Sequence, residues 1–250
     1  MNATGPLAAL RRALGPGHRA APVPVPGDRP VALVYRGRTR EDRDCADTVV
    51  GLLAEGPWGL DVRTTGPKGD LPLSAATLAT AHLYAQPGGG DLTPAYRRLE
   101  PHRQAIRDFV HGGGRYLGFC LGGYLAGHEE GFGLLSGDVG QYIATDGATV
   151  RTEDDTLVDV AWRGRPRTLY FQDGAYFTPA PGSTVLATYP SGRVAALVAP
   201  CGTGRVAVVG PHPEATRDWF DDAALPFQNT RDLAADLVGA VLDAGTAPDD

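Results

Sequence analysis

From residue 31 to residue 127 short apolar runs alternate with stretches of helical periodicity, a rhythm that few architectures accept. VALVY at 31–35, bounded by Pro30 and Gly37, is apolar throughout and reads as a strand buried on both faces. Thr39 or Asp42 then offers a cap for a helix through about Glu55, on which Cys45, Val49, Leu52 and Leu53 share one face. LDVRTT at 60–65 gives a second strand, and AHLYAQ at 81–86 a third that runs into the turn PGGGD. The spacing of Leu99, Ile106, Phe109 and Val110 predicts one helix from Tyr96 to His111, closed by Gly112, Gly113 and Gly114. Arg115 to Phe119 is the next strand, with Cys120 at its end and a helix through about Gly127 behind it. Strands that alternate with helices pair in parallel and take helices on both faces.

From about residue 148 the rhythm changes. ATVRT, TLVDVAW, RTLYF, STVLATY and VAALVAP follow one another with no helix between them, which predicts an antiparallel β layer inserted at about 148–200. VAVVG at 206–210 returns to the buried-strand pattern and leads into PHPEA. A last helix, from about Thr230 to Leu242, turns Leu233, Leu237, Val238 and Val241 inward. The expected architecture is α/β: a mostly parallel sheet flanked by helices over residues 30–245, carrying that insertion. Residues 1–29, with their APVPVPGDRP stretch, read as an extended N-terminal arm.

The net charge of −6 leaves no global positive field to draw in nucleic acid or acidic lipid. A small-molecule or peptide substrate is the expectation, with no nucleic-acid or membrane partner. No run of the chain approaches the roughly 18 apolar residues that a membrane span needs. The cysteines, Cys45, Cys120 and Cys201, are odd in number and lack CxxC spacing, which argues against a disulfide framework and against a zinc site. A reducing, cytoplasmic setting without metal or cofactor fits that usage.

In a sheet of this kind reacting groups gather at the carboxyl ends of the strands. Three motifs fall there: PGGGD, GFCLGG and GPHPEA. An isolated cysteine is more often buried and inert than reactive. Cys120, however, stands in a Gly-x-Cys-x-Gly turn between strand and helix, the thiol form of a nucleophile elbow, with Gly118 and Gly122 as the small flanks. The helix that begins at Leu121 aims its positive end at the sulfur and favours thiolate. Leu121 N–H, with the backbone amides of Gly89 or Gly90, can face an oxyanion on a substrate carbonyl. His212 can take the thiol proton and return it to a leaving amine, while Glu214 fixes the tautomer of the ring. His128 is the alternative base, but eight residues on one helix put it roughly 12 Å along the axis from Cys120. Asp91, Tyr124 and the segment YFQDGAYF, through Tyr170, Gln172 and Tyr176, are candidate substrate contacts, although aromatic residues at period two also suit simple packing.

Cys120, His212 and Glu214, in that order with an H-P-E turn, resemble the class I glutamine amidotransferase-like superfamily, whose flavodoxin-like domains carry a Cys-His-Glu triad. VALVYRG, QPGGGDL, FVHGGGRYLGFCLGGY, YFQDGAYF, VLATY and GTGRVAVVGPHPE resemble, in order, the N-terminal domain of biotin-protein ligases and its free-standing bacterial counterparts, over about residues 30 to 220. The resemblance implies a fold and a triad and not biotin chemistry, because the ligase activity of that family resides in a downstream domain that this sequence is not expected to include. RGRTR at 36–40 and RGRPR at 163–167 are similar to biotin-activating loops only in composition and read as surface turns. Leu121 stands where the family can have a small residue, which alters the pocket floor and leaves the backbone donor.

These readings converge on a cysteine-dependent amidohydrolase or amidotransferase-like enzyme that acts on an amide or ester carbonyl through a thioester. An amidotransferase of this form needs an acceptor-domain protein as partner. Two alternatives stay open: a non-catalytic binding or regulatory module that uses the inherited pocket, and a peptidase.

Overall fold

The computed structural model describes residues 29–243, so all of the expected arm except Arg29 lies outside the described residues. The first half of the chain forms β1 (Val31–Tyr35), α1 (Arg40–Glu55), β2 (Asp61–Thr65), α2 (Ala75–Leu78), β3 (Leu83–Gln86), α3 (Leu92–Leu99), α4 (Arg103–His111), β4 (Arg115–Phe119) and α5 (Leu121–Leu125). The second half adds β5 (Val139–Gln141), β6 (Thr156–Trp162), β7 (Arg165–Phe171), β8 (Ala175–Phe177), β9 (Thr184–Thr188), β10 (Val194–Cys201), β11 (Gly204–Val209), α6 (Arg217–Asp222) and α7 (Arg231–Leu242).

One sheet runs through the molecule in the order β2-β1-β3-β4-β11-β10-β9-β6-β7, with β8 pairing β10 and β5 pairing β8 beside that path. From β2 to β11 every neighbouring pair is parallel. From β10 outward the pairs are antiparallel. The antiparallel segment is therefore not a layer laid against a mostly parallel sheet. It extends the same sheet into a mixed one, because β11 returns along β10 through the tight turn at Gly202 and Thr203, and the other edge of β10 pairs with β9.

Alternation along the parallel strands decides what covers each face. Ala32 and Val34 of β1, Leu117 and Phe119 of β4 and Ala207 and Val209 of β11 point into one core, closed by Val49, Leu52 and Leu53 of α1 and Leu233, Leu237 and Val238 of α7. Leu33, Tyr116, Val206 and Val208 point into the other, closed by Leu99, Ile106 and Val110 of α3 and α4 and Leu125 of α5. Both faces are dry, which is why these strands read as unbroken apolar runs.

The helix starts follow local chemistry. Thr39 caps α1: its hydroxyl accepts from Asp42 N–H while the Asp42 carboxylate accepts from Thr39 N–H, a capping box worth about 1 kcal/mol. The single helix expected over 96–111 is two, separated by a turn of 3-10 helix at Glu100–His102. Pro101 has no N–H to continue the α-helical hydrogen bonds, and it stands at the start of the 3-10 turn. ATVRT forms no strand, and the helix after Cys120 ends at Leu125 rather than near Gly127. RGRPR is the β6–β7 hairpin turn, with Arg163 (φ +46°) and Gly164 (φ +78°) in the two positive-φ positions. Arg163 and Arg167 reach Asp236 and Asp232 on α7, and Trp162 Nε1 donates to Asp236 at 2.8 Å, so this hairpin is tied to the helix below it. Among the described residues no helix is long and apolar enough to cross a membrane.

Candidate active site

Cys120 follows β4 with φ +46° and ψ −104°, a conformation that costs a non-glycine residue about 1–3 kcal/mol. The surroundings over-determine it. Its N–H donates to Val209 O at 2.9 Å, and its carbonyl accepts from the N–H groups of Gly123 and Tyr124. The flanking glycines are there for close approach: a Cβ on Gly118 would collide with the Gly122 carbonyl, and one on Gly122 with the Gln86 carbonyl. Tyr116 Oη donates to Gly122 O at 2.7 Å and pins the far side of the turn. As first residue of α5, Leu121 has no intrahelical partner for its N–H. α5 is a single turn and a fraction, so the expected helix dipole at the sulfur is that of one turn only. The thiol donates to Gln172 O at 3.5 Å.

His212 emerges just after β11, on the other side of the same sheet end. Its N–H donates to Tyr170 O at 2.9 Å, and its ring is 3% exposed. Nδ1 and Glu214 Oε1 lie 2.9 Å apart and both side chains are buried, so Nδ1 carries the proton toward the carboxylate and Nε2 is left for a reacting group. Glu214 Oε2 has no partner. Trp219 and Tyr170 pack their rings against the imidazole, at centroid distances of 5.2 and 6.0 Å. Gly88 separates His212 from Cys120: a Cβ placed there would stand 2.9 Å from His212 Cε1 and 3.5 Å from Cys120 Cβ. Burial opposes an imidazolium at His212, but the charges of Cys120 and Glu214 outweigh it and hold the ring well above its ordinary pKa.

Two clefts meet at this pair. One, of about 800 Å³, is lined by Cys120, Leu121, Gly90, Asp91 and Tyr124 among others. The second, of about 460 Å³, is lined by His212, Tyr170, Trp219 and Cys45 among others. Glu41, Gly89 and Gln172 line both and form the ridge between them. The nucleophile candidate and the base candidate thus open onto different spaces.

Gly89, Gly90 and Leu121 are brought to the Cys120 cleft, the two glycines with φ +103° and +72°. Asp91 is there as well, exposed, at the N-terminus of α3 and without a capping bond. Tyr124 lines the same cleft and donates to Asp173 O at 3.0 Å, and burial raises its phenol far above the ordinary range. Tyr170 belongs to the His212 side, where burial and the nearby Asp155 raise its phenol. Tyr176, expected as a substrate contact, lines neither cleft. It is the middle residue of β8, between inward-facing Ala175 and Phe177, and its ring receives the Arg193 guanidinium at 4.5 Å. His128 lies beyond the end of α5 and lines neither cleft.

Three groups were missed. Gly88, passed over in favour of its neighbours, sets the Cys120–His212 approach. Asp173 sits at φ +46°, accepts from Gln141 Nε2 with both oxygens at 2.9 Å, and lines the Cys120 cleft; the Asp-Gly pair in YFQDGAYF was the available signal. Thr230, read only as a helix start, is 2% exposed and donates from its hydroxyl to Pro213 O at 3.0 Å, which anchors the His-Pro-Glu turn to α7.

Residues 75–139, which hold the Gly-rich turn and Cys120, match the family described as Biotin-protein ligase, N terminal. The resemblance drawn from the motifs is borne out over that segment. A curated relative, the imidazole glycerol phosphate synthase subunit HisH of Rhodopirellula baltica, is 31% identical over 87 residues, a match that spans 31% of this chain and 42% of that protein. Among solved structures, a glutamine amidotransferase from Thermotoga maritima superposes with a TM-score of 0.58 at 15% identity, over 87% of this chain and 100% of that one. An exo-β-1,4-mannosidase from Opitutaceae bacterium strain TAV5 gives 0.52 at 16% identity, over 86% of this chain and 36% of that one. These likenesses define the fold as glutamine amidotransferase-like.

Proposed function

We propose that this protein is a cysteine-dependent amidohydrolase, or the amide-cleaving half of an amidotransferase. The observation that carries the reading is the buried His212–Glu214 pair beside a cysteine held at positive φ. Cys120 passes its thiol proton to His212 Nε2 as its sulfur attacks the carbonyl carbon, and the oxyanion that forms faces Leu121 N–H and the amides of Gly89 and Gly90. The tetrahedral adduct collapses to a thioester as the C–N bond breaks, and the leaving amine takes its proton from His212 Nε2. Water, or an acceptor amine, then attacks the thioester and gives a proton to His212 Nε2, which returns it to the Cys120 sulfur as the C–S bond breaks. Glu214 positions the ring and offsets its charge during both steps.

The lining of the Cys120 cleft adds a preference. Glu41, Asp91, Glu153, Asp154 and Asp173 face it, and no Lys, Arg or His does among the described residues. Field focusing in such a cleft enriches cations and depletes anions by about tenfold or more. The acyl group is therefore neutral or cationic. Transfer rather than hydrolysis requires a partner chain to supply the acceptor, and a reducing, cytoplasmic setting keeps Cys120 a free thiol.

The test is ammonia release from glutamine, argininamide and neutral N-acyl amino-acid amides, with Cys120→Ala as the blank. Release that requires Cys120 upholds the proposal. Amides bound without turnover, at equal affinity in wild type and Cys120→Ala, would instead make the site a binding module.

A further inference from the structure

RGRTR, the loop after β1, divides its arginines. Arg36 makes a two-pronged ion pair with Asp47, at 3.0 and 2.8 Å. Arg38 lines a separate pocket of about 480 Å³ at the carboxyl ends of β1 and β2, together with Tyr35, Arg98 and His102. Pro67 and Leu73 supply an apolar wall opposite. The pocket lies beside the reversal of strand order between β1 and β3, a place where open α/β sheets receive ligands. It shares no lining residue with the clefts at Cys120 and His212.

Its polar groups are unspent. Among the described residues neither the Arg38 nor the Arg98 guanidinium makes a hydrogen bond or ion pair, and the Tyr35 hydroxyl has no partner although Tyr35 is only 8% exposed. The hydroxyl is not one of the fully enclosed unpartnered atoms of the described residues, so it opens toward the pocket that Tyr35 lines. No carboxylate lines the pocket. Asp42 is the one acid that acts on Tyr35, and it does so from the narrow gap on the inner side of the ring. Burial and Asp42 raise the Tyr35 phenol, while Arg98 and Arg38 pull it down, so both guanidinium groups are within electrostatic reach of its hydroxyl.

We propose that this pocket is a second binding site, for a small anion: a phosphate or carboxylate group on a compact apolar body. The two guanidinium forks hold the oxyanion, Tyr35 Oη and His102 donate to it, and the body lies on Pro67 and Leu73. The opposite charge of the Cys120 cleft makes the two sites mutually exclusive in ligand class.

Isothermal titration with phenyl phosphate and with phenylacetate tests this, with benzyl alcohol as the neutral probe. Saturable binding of at least one anion at about millimolar concentration or tighter is expected. It should weaken about tenfold in Arg38→Gln and in Arg98→Gln, and a few-fold in Tyr35→Phe, while benzyl alcohol shows no saturation. Both arginines are exposed, so these variants keep the wild-type melting temperature. The anion that binds more tightly names the headgroup. Absence of saturable binding of either anion up to about 10 mM, or undiminished binding in both arginine variants, overturns the proposal.

Discussion

Gly88→Ala is the sharpest perturbation of the site, because it adds one methyl group and no charge. Gly88 is not among the positive-φ glycines, so its backbone accepts alanine and the effect comes from contact alone. The new Cβ would stand 2.9 Å from His212 Cε1, whereas ordinary contacts begin at 3.4 Å, so about half an ångström must be found. The ring has little to give: Glu214 holds Nδ1 at 2.9 Å, and Trp219 and Tyr170 stand behind it. The displacement therefore falls on the geometry between His212 and Cys120. Misplacement of a reacting group by 1 Å costs about a hundredfold, so half of that costs about tenfold, or ~1.4 kcal/mol. Overpacking also destabilises by about 1–3 kcal/mol, which leaves the protein folded. The assay is the rate of iodoacetamide alkylation at pH near 7, with the label located by peptide mass spectrometry, since Cys45 and Cys201 are also free thiols. Cys120 labelling should slow about tenfold, in the same direction as in His212→Ala. Gly88→Ala labelled within twofold of the wild-type rate would refute the reasoning.

Other consequences are as specific. Thr230→Val removes the hydroxyl that holds Pro213 O and leaves that carbonyl without its donor, a loss of about 1–3 kcal/mol; the melting temperature should fall by several degrees and Cys120 alkylation should slow with it. The charge of the Cys120 cleft should make a trimethylammonium methanethiosulfonate outpace its sulfonate analogue at Cys120 by about tenfold, after correction for their rates with a small thiol, and Glu153→Gln with Asp154→Asn should shrink that ratio. Cys120 and Glu214 outweigh burial and raise the folded-state pKa of His212 above its unfolded value of about 6.5. The stability this contributes is complete below about pH 6.5 and is lost as pH rises through the folded value, so the thermal advantage of wild type over His212→Gln should narrow as pH rises above neutral.

The parallel half of the sheet was legible because β1, β4 and β11 bury both faces and leave an unbroken apolar signature, and the site was legible because strand ends collect reacting groups. Short motifs with strong local chemistry placed Cys120, His212 and Glu214 in one neighbourhood. What pattern could not supply was pairing at a distance. Nothing local in VAALVAP or TLVDVAW says that these strands continue the same sheet rather than form a layer of their own. YFQDGAYF offered Tyr170 and Tyr176 as contacts of one cleft, but Asp173 at positive φ and Gly174 interrupt the strand, and the two rings end in different places. Helical periodicity carried straight across Pro101, whose missing N–H interrupts the α-helical hydrogen bonds. Gly88 escaped notice because a glycine required for close approach looks, in sequence, like any other glycine in a loop.

The central claim is that Cys120 takes an acyl group with the help of His212. Its most direct test is intact-mass and peptide mass spectrometry after brief exposure to p-nitrophenyl acetate, quenched in acid. One acetyl group is expected on the peptide that contains Cys120, formed much more slowly in His212→Ala and lost from the wild type on incubation. Acetylation that leaves Cys120 untouched, or that proceeds equally fast without His212, would contradict it.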